Sequence, residues 1–129
     1  MINWLKDLLK SDGHEELTVQ TDQKAEFKLF LPDIAVGTLA FDKGQWIFKY
    51  DDDFINSDVY TCIADFPDVT KTYTSDILWP FFLSRIPSTS RKRIEETLRD
   101  ENLDRTDLLT MLERFGKKTI TNPFILEAS

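Results

Sequence analysis

From Leu17 to Tyr50 the sequence keeps a period of two, and this rhythm limits the fold more than any other feature. Phe27, Leu29 and Leu31 alternate with Glu26, Lys28 and Phe30, the run Ile34-Ala35-Val36-Gly37-Thr38-Leu39-Ala40-Phe41 is strand-like, and Gln45-Trp46-Ile47-Phe48-Lys49-Tyr50 follows. Successive side chains of a strand point to opposite faces, so such alternation lays an apolar set on one side of a sheet. Asp42-Lys43-Gly44 between the last two runs predicts a hairpin, because glycine supplies the backbone freedom of a tight turn. Asp51-Asp52-Asp53 ends the third run in a solvated loop.

After residue 74 the period becomes helical. Ser75 is a candidate N-cap for a helix to Arg85, and Pro80, which has no N–H to donate, either starts the regular helix at residue 79 or 80 or kinks it. Ser88-Thr89-Ser90 caps a second helix over 91–99. Asp104 caps a third, in which Leu108, Leu109, Met111, Leu112 and Phe115 form an apolar stripe ending at Gly116. Thr119-Ile120-Thr121 and Phe124-Ile125-Leu126 are expected to be extended. Strands first and helices later indicate an α+β fold, a small antiparallel β-sheet from the N-terminal half packed with about three helices from the C-terminal half. Ile2, Leu5, Leu8 and Leu9 at helical spacing predict a helical extension over residues 1–12, ahead of a single domain over 17–127. The chain's 129 residues suffice for one core.

Composition removes several functions. One cysteine, Cys62, and one histidine, His14, make neither an intramolecular disulfide nor a Cys/His zinc site. They lie in different regions, so a Cys/His nucleophilic enzyme is disfavoured and Cys62 reads as a small core thiol. The four glycines fit neither a Walker A loop nor a kinase glycine-rich loop, so no cofactor is expected. Asp51-Asp52-Asp53 fails the EF-hand register, having Asn56 and Cys62 where glycine and glutamate are needed. The longest apolar runs fall far short of the roughly 18 residues a membrane span requires. With no secretory signal pattern, the expected setting is the cytoplasm. A net charge of −7 argues against direct nucleic-acid binding and favours a basic partner. Arg85, Arg91, Lys92, Arg93 and Arg99 reverse that sign locally, but Glu95, Glu96, Asp100 and Glu101 are near enough to make a solvated, mutually paired face.

The most informative segment is Ser75-Asp76-Ile77-Leu78-Trp79-Pro80-Phe81-Phe82-Leu83-Ser84-Arg85-Ile86-Pro87. Leu78, Phe81, Phe82 and Ile86 read as core between helix and sheet. Trp79, directly before the proline and close to Asp76, is the residue expected to protrude. An exposed Trp near an Arg is the composition of a binding hot spot.

At these residues the sequence resembles a known family. Val36-Gly37-Thr38-Leu39, Gly44 to Tyr50, Phe66-Pro67-Asp68, Leu78-Trp79-Pro80-Phe81-Phe82 with Arg85-Ile86-Pro87, and Leu108 to Gly116 follow one another as in the N-terminal subdomain of HipA-type serine/threonine kinases. The likeness runs over residues 25–126. Where full-length kinases commonly have a Leu-Leu-Pro-Glu type sequence, this chain has Arg85-Ile86-Pro87-Ser88. The chain is similar to the free-standing, HipS-like version of that subdomain, which accompanies a shortened HipT-like kinase toxin and a HipB-like DNA-binding protein.

The resemblance implies a non-enzymatic, antitoxin-like protein of a bacterial toxin–antitoxin system, one that binds a HipA- or HipT-type kinase and inhibits it by inserting an aromatic side chain at its active site. Trp79 is the expected insert, with Phe82, Arg85, Asp76 and Ser88 around it. Two rivals stand beside this reading. One is a non-inhibitory module bridging the kinase and the DNA-binding protein in a repressor complex, and the other is a solitary remnant that binds a different protein.

Overall fold

The computed structural model describes residues 17–57, 62–88 and 91–129. The helical extension expected over residues 1–12 lies outside them.

Five strands form one antiparallel sheet: β1 (Ala25–Leu31), β2 (Ile34–Asp42), β3 (Gln45–Tyr50), β4 (Tyr73–Ser75) and β5 (Ile125–Ala128), in the order β4-β3-β2-β1-β5. The period-two runs are the three central strands. Lys43 at φ 52° and Gly44 at φ 79° turn β2 into β3, both in the left-handed region that a two-residue hairpin matching strand twist requires. On β1 and β2 the register passes from Leu29 opposite Gly37 to Phe30 opposite Ala35, so Val36 bulges out of the ladder. The freed Val36 carbonyl accepts the Asp51 N–H at 2.9 Å, which ties the end of β3 back to the bulge.

Gly37 follows the bulge at a close approach. A Cβ there would stand 2.6 Å from the Lys49 carbonyl oxygen and 2.9 Å from the Phe48 ring. Phe27, Leu29, Leu39, Phe41, Trp46, Phe48 and Tyr50 line one face of the sheet and are buried. Phe41 and Trp46, paired across the hairpin, meet at a centroid distance of 4.8 Å.

Among the described residues four helices accompany the sheet: α1 (Asp52–Ile55), α2 (Pro80–Leu83), α3 (Lys92–Asp100) and α4 (Leu108–Phe115). The fold is α+β as the sequence indicates. They close the core with Phe54, Phe82, Leu83, Leu98, Leu108, Leu109, Met111 and Leu112.

Several local expectations change. Asp51 precedes the short helix α1 and pairs with Lys28 at 2.9 Å, so the aspartate run is more ordered than a loop. Ser75 ends β4 instead of capping a helix, and α2 begins at Pro80, one of the starts that the proline offered, and ends at Leu83, short of Arg85. The N-cap of α4 is Asp107, whereas Asp104 accepts from Thr106 in a local turn. β5, from the C-terminal end, completes the sheet beside β1 and leaves Thr119 to Asn122 as a turn. Cys62 is exposed, not a core thiol, because it precedes the tight Ile63–Phe66 turn that sends only those two side chains inward. No helix of the described residues is long and apolar enough to cross a membrane.

Candidate partner-binding site

Burial of Tyr50 starts the construction of the site. Its hydroxyl donates to the Phe66 carbonyl at 2.7 Å and accepts from the Ile63 N–H at 2.9 Å. One phenol therefore closes the 63–66 turn and fixes Phe66, which stacks on Phe48 with centroids 4.4 Å apart. Burial pushes the Tyr50 hydroxyl up to about 12. Asp65, exposed at the tip of that turn, accepts the Phe81 N–H on Oδ2 at 3.1 Å, serving one of the N–H groups that the first turn of α2 leaves without a partner.

Pro80 then decides which aromatic goes where. A residue before proline is driven to extended backbone, and Trp79 has ψ 149°. Proline at the first helical position loses no hydrogen bond, and the Trp79 carbonyl accepts from both Phe82 and Leu83 at 3.0 Å. Phe82 enters the core between Phe48 and Phe66. Trp79 turns the other way and sets its ring against Phe66, edge to face, at 5.0 Å and 80°. It is half-buried and packed against the core, so it does not protrude freely and only part of its ring reaches solvent.

Of the residues that the sequence points to, Trp79 and exposed Asp76 lie at the surface, and Ser88 is half-buried after Pro87. Phe82 and Arg85 are buried, at 0% and 4% exposure. Arg85 holds the loop between α4 and β5. Nε donates to the Gly116 carbonyl, Nη2 to the carbonyls of Lys117 and Phe124 at 2.7 and 2.6 Å, and Nη1 to Asn122 Oδ1 at 3.3 Å. All these acceptors are neutral, and desolvation pulls the guanidinium down to about 10, which leaves it charged at neutral pH.

Two surface aromatics lie outside the set that the sequence points to. Phe81 and Phe124 are half-buried and meet edge to face at 5.3 Å. Phe81 also contacts Phe82 at 5.0 Å. The signal for Phe81 was present in Pro80, since a fixed helix start determines which member of the phenylalanine pair points inward. No local signal marks Phe124, which Arg85 positions from 39 positions away.

Trp79, on Phe66, and the Phe81–Phe124 pair, on Phe82, are thus partly exposed aromatics over the same buried rings, with the exposed carboxylate of Asp65 bonded at the start of α2 and that of Asp76 three positions before Trp79. Such a surface suits protein recognition: rigid aromatic anchors give contact area at small entropic cost, and the carboxylates favour basic groups on the partner. Basic residues of α3, Lys92, Arg93 and Arg99, are exposed, and Arg114 holds Glu101 through two hydrogen bonds of 2.8 and 2.7 Å.

A family model described as the HipA N-terminal domain matches residues 27–121. The fold is similar to a solved structure described as the N-terminal domain of HipA toxin, with a TM-score of 0.53 at 22% identity, over 81% of this chain and 92% of that one. None of the curated proteins matches the sequence.

Proposed function

The chain belongs to the HipA N-terminal domain family, and on that premise we propose that it is a non-catalytic, antitoxin-like protein that docks on a HipA- or HipT-type kinase and inhibits it through Trp79. The single observation that carries this reading is the Trp79–Pro80–Phe81 junction. Proline turns the tryptophan out of the helix, Phe66 supports one edge of its ring, and Asp65 fixes the backbone two residues on. The indole is held in place and stays partly exposed, as an inserted side chain would need to be. The toxin named in the description of the similar structure supports a toxin–antitoxin setting. Phe81 and Asp76 extend the contact, whereas Phe82 and Arg85 serve it from beneath. A HipB-like DNA-binding protein fits the same complex as a further partner, with no nucleic-acid contact from this acidic chain.

The test is neutralisation on co-expression with the cognate kinase. Trp79→Ala should fail to restore growth, since truncating a Trp hot spot costs about 2 kcal/mol or more of binding. Trp79→Phe should keep the melting temperature close to wild type and still neutralise poorly, which separates insertion from folding. Full neutralisation by Trp79→Ala would refute the insertion reading. No growth rescue by the unaltered chain, combined with altered operator binding, would point to a bridge.

A further inference from the structure

The loop that Arg85 secures carries an unusual side chain at its tip. Among the described residues Ile120 is the one large hydrophobic that stands fully exposed, at 104%. Solitary surface apolar residues are common and usually need no explanation. Here, however, the loop is constrained at both ends. The buried guanidinium ties Gly116 and Lys117 on one side to Asn122 and Phe124 on the other. Asn122 Oδ1 also accepts the Phe124 N–H at 3.1 Å, and an antiparallel bridge joins Thr119 to Asn122. Ile120 itself has a β-branched side chain with few rotamers to lose. Little ordering cost remains when such a group is buried by a partner.

Position and charge narrow the occupant. Phe124 touches Phe81, two residues from Trp79, so the loop is continuous with the aromatic surface. Phe124 is four positions from Ile120, a span of at most about 15 Å at 3.8 Å per step. A standard interface covers about 800 Å² per partner, roughly 30 Å across, wider than the span from the Phe81–Phe124 pair to Ile120. The charge differs between the two ends. Asp76 precedes Trp79 by three positions and Asp65 holds the Phe81 N–H, whereas Lys117 and Lys118, both exposed, precede Ile120. Lys117 lies 3.8 Å from Glu127, a loose pairing.

We propose that Ile120 is a second anchor of the partner-binding surface, seated in an apolar pocket with carboxylates on its rim, on the same protein that receives Trp79. This rests on the kinase-docking function proposed above. The partner's footprint then has opposite polarity to this chain: basic around the tryptophan pocket and acidic around the isoleucine pocket.

The affinity of the full-length chain for the purified cognate kinase tests this, with wild type, Trp79→Ala, Ile120→Asp, Ile120→Val and Lys118→Glu measured side by side. Ile120→Asp should weaken binding about tenfold or more with no change in melting temperature, and Ile120→Val should stay within about threefold of wild type. Lys118→Glu should slow association, most visibly at low salt. Wild-type affinity in Ile120→Asp alongside a loss in Trp79→Ala overturns this inference alone. Failure of the unaltered chain to bind the kinase removes the docking function and, with it, the second anchor.

Discussion

Arg85 donates from Nη2 to the carbonyl oxygen of Phe124 at 2.6 Å, although 39 positions separate them in the chain. The bond links the turn after α2 to the residue just before β5, and through the Phe81–Phe124 contact it returns to the helix that carries Trp79. One buried cation therefore positions two surface features, the aromatic patch and the Ile120 turn.

Replacing Arg85 should destabilise the whole domain. Arg85→Met leaves the Gly116 and Phe124 carbonyls without this donor, while the Lys117 carbonyl keeps the Leu126 N–H at 2.9 Å; stranding a buried acceptor costs about 1–3 kcal/mol before relaxation and water entry reduce it. Arg85→Lys keeps the charge but loses the planar fork that reaches four acceptors, so it should recover only part of the loss. Urea unfolding of both variants checks the order wild type, Lys, Met. Equal stability of Lys and wild type would show that charge, not fork geometry, secures the loop.

Arg85 also shows where sequence reading stops. The central strands are legible because alternation sets which face each residue takes, and Trp79-Pro80 is legible because proline constrains its own neighbours. The role of Arg85 depends on carbonyls more than thirty positions away, and a main-chain oxygen has no sequence signature. An arginine beside a tryptophan then reads as surface. β4 is only Tyr73-Thr74-Ser75, too short for periodicity to register, and it exists because Phe48 and Trp46 offer an open edge. Cys62 fails for the opposite reason: small apolar thiols usually sit inside, but the adjoining turn spends its two inward positions on Ile63 and Phe66.

Tyr50→Phe should cost about 1–3 kcal/mol, because it leaves the Ile63 N–H and the Phe66 carbonyl without their shared partner. The same hydroxyl gives an alkaline signature. Its ionisation is raised from 10.0 to about 12 in the folded protein, so the unfolded chain releases this proton first. The stabilising contribution is whole below pH 10 and is lost as pH rises toward 12. Thermal melts across that window should fall less steeply for Tyr50→Phe than for wild type.

Gly37→Ala tests the close approach beside the bulge. A methyl group there would press on the Lys49 carbonyl, which belongs to the ladder and cannot swing aside, and on the Phe48 ring that supports Phe66. Overpacking of this kind costs about 1–3 kcal/mol. Chemical denaturation should show it, and near-ultraviolet dichroism should change with it if Phe48 moves. No loss of stability would mean that the bulge can shift to accommodate the methyl.

Acid should weaken the domain through exposed turns, not through its core. Hydrogen bonds from the Thr70 and Thr106 side chains, reinforced by their backbone N–H groups, hold the carboxyls of Asp68 and Asp104 below their usual 3.8, and the bond from Arg114 holds Glu101 below 4.5. Each folded carboxyl releases its proton at lower pH than its unfolded counterpart. The stabilisation is therefore complete above those usual values and is lost as pH falls through the lower folded ones. The melting temperature should decline as pH drops below 4.5, and less steeply in an Asp68→Asn/Asp104→Asn double variant. All three carboxyls are solvated, so added salt should shrink the part that depends on Arg114 and leave the threonine-capped turns nearly unchanged. The two aspartate turns share no hydrogen-bond partner, Asp68 being bonded by Thr70 and Asp104 by Thr106, so their single variants should add to the double. A double variant that follows the wild-type acid profile would show that the turns' hydrogen bonds persist in the unfolded chain and contribute nothing to folding.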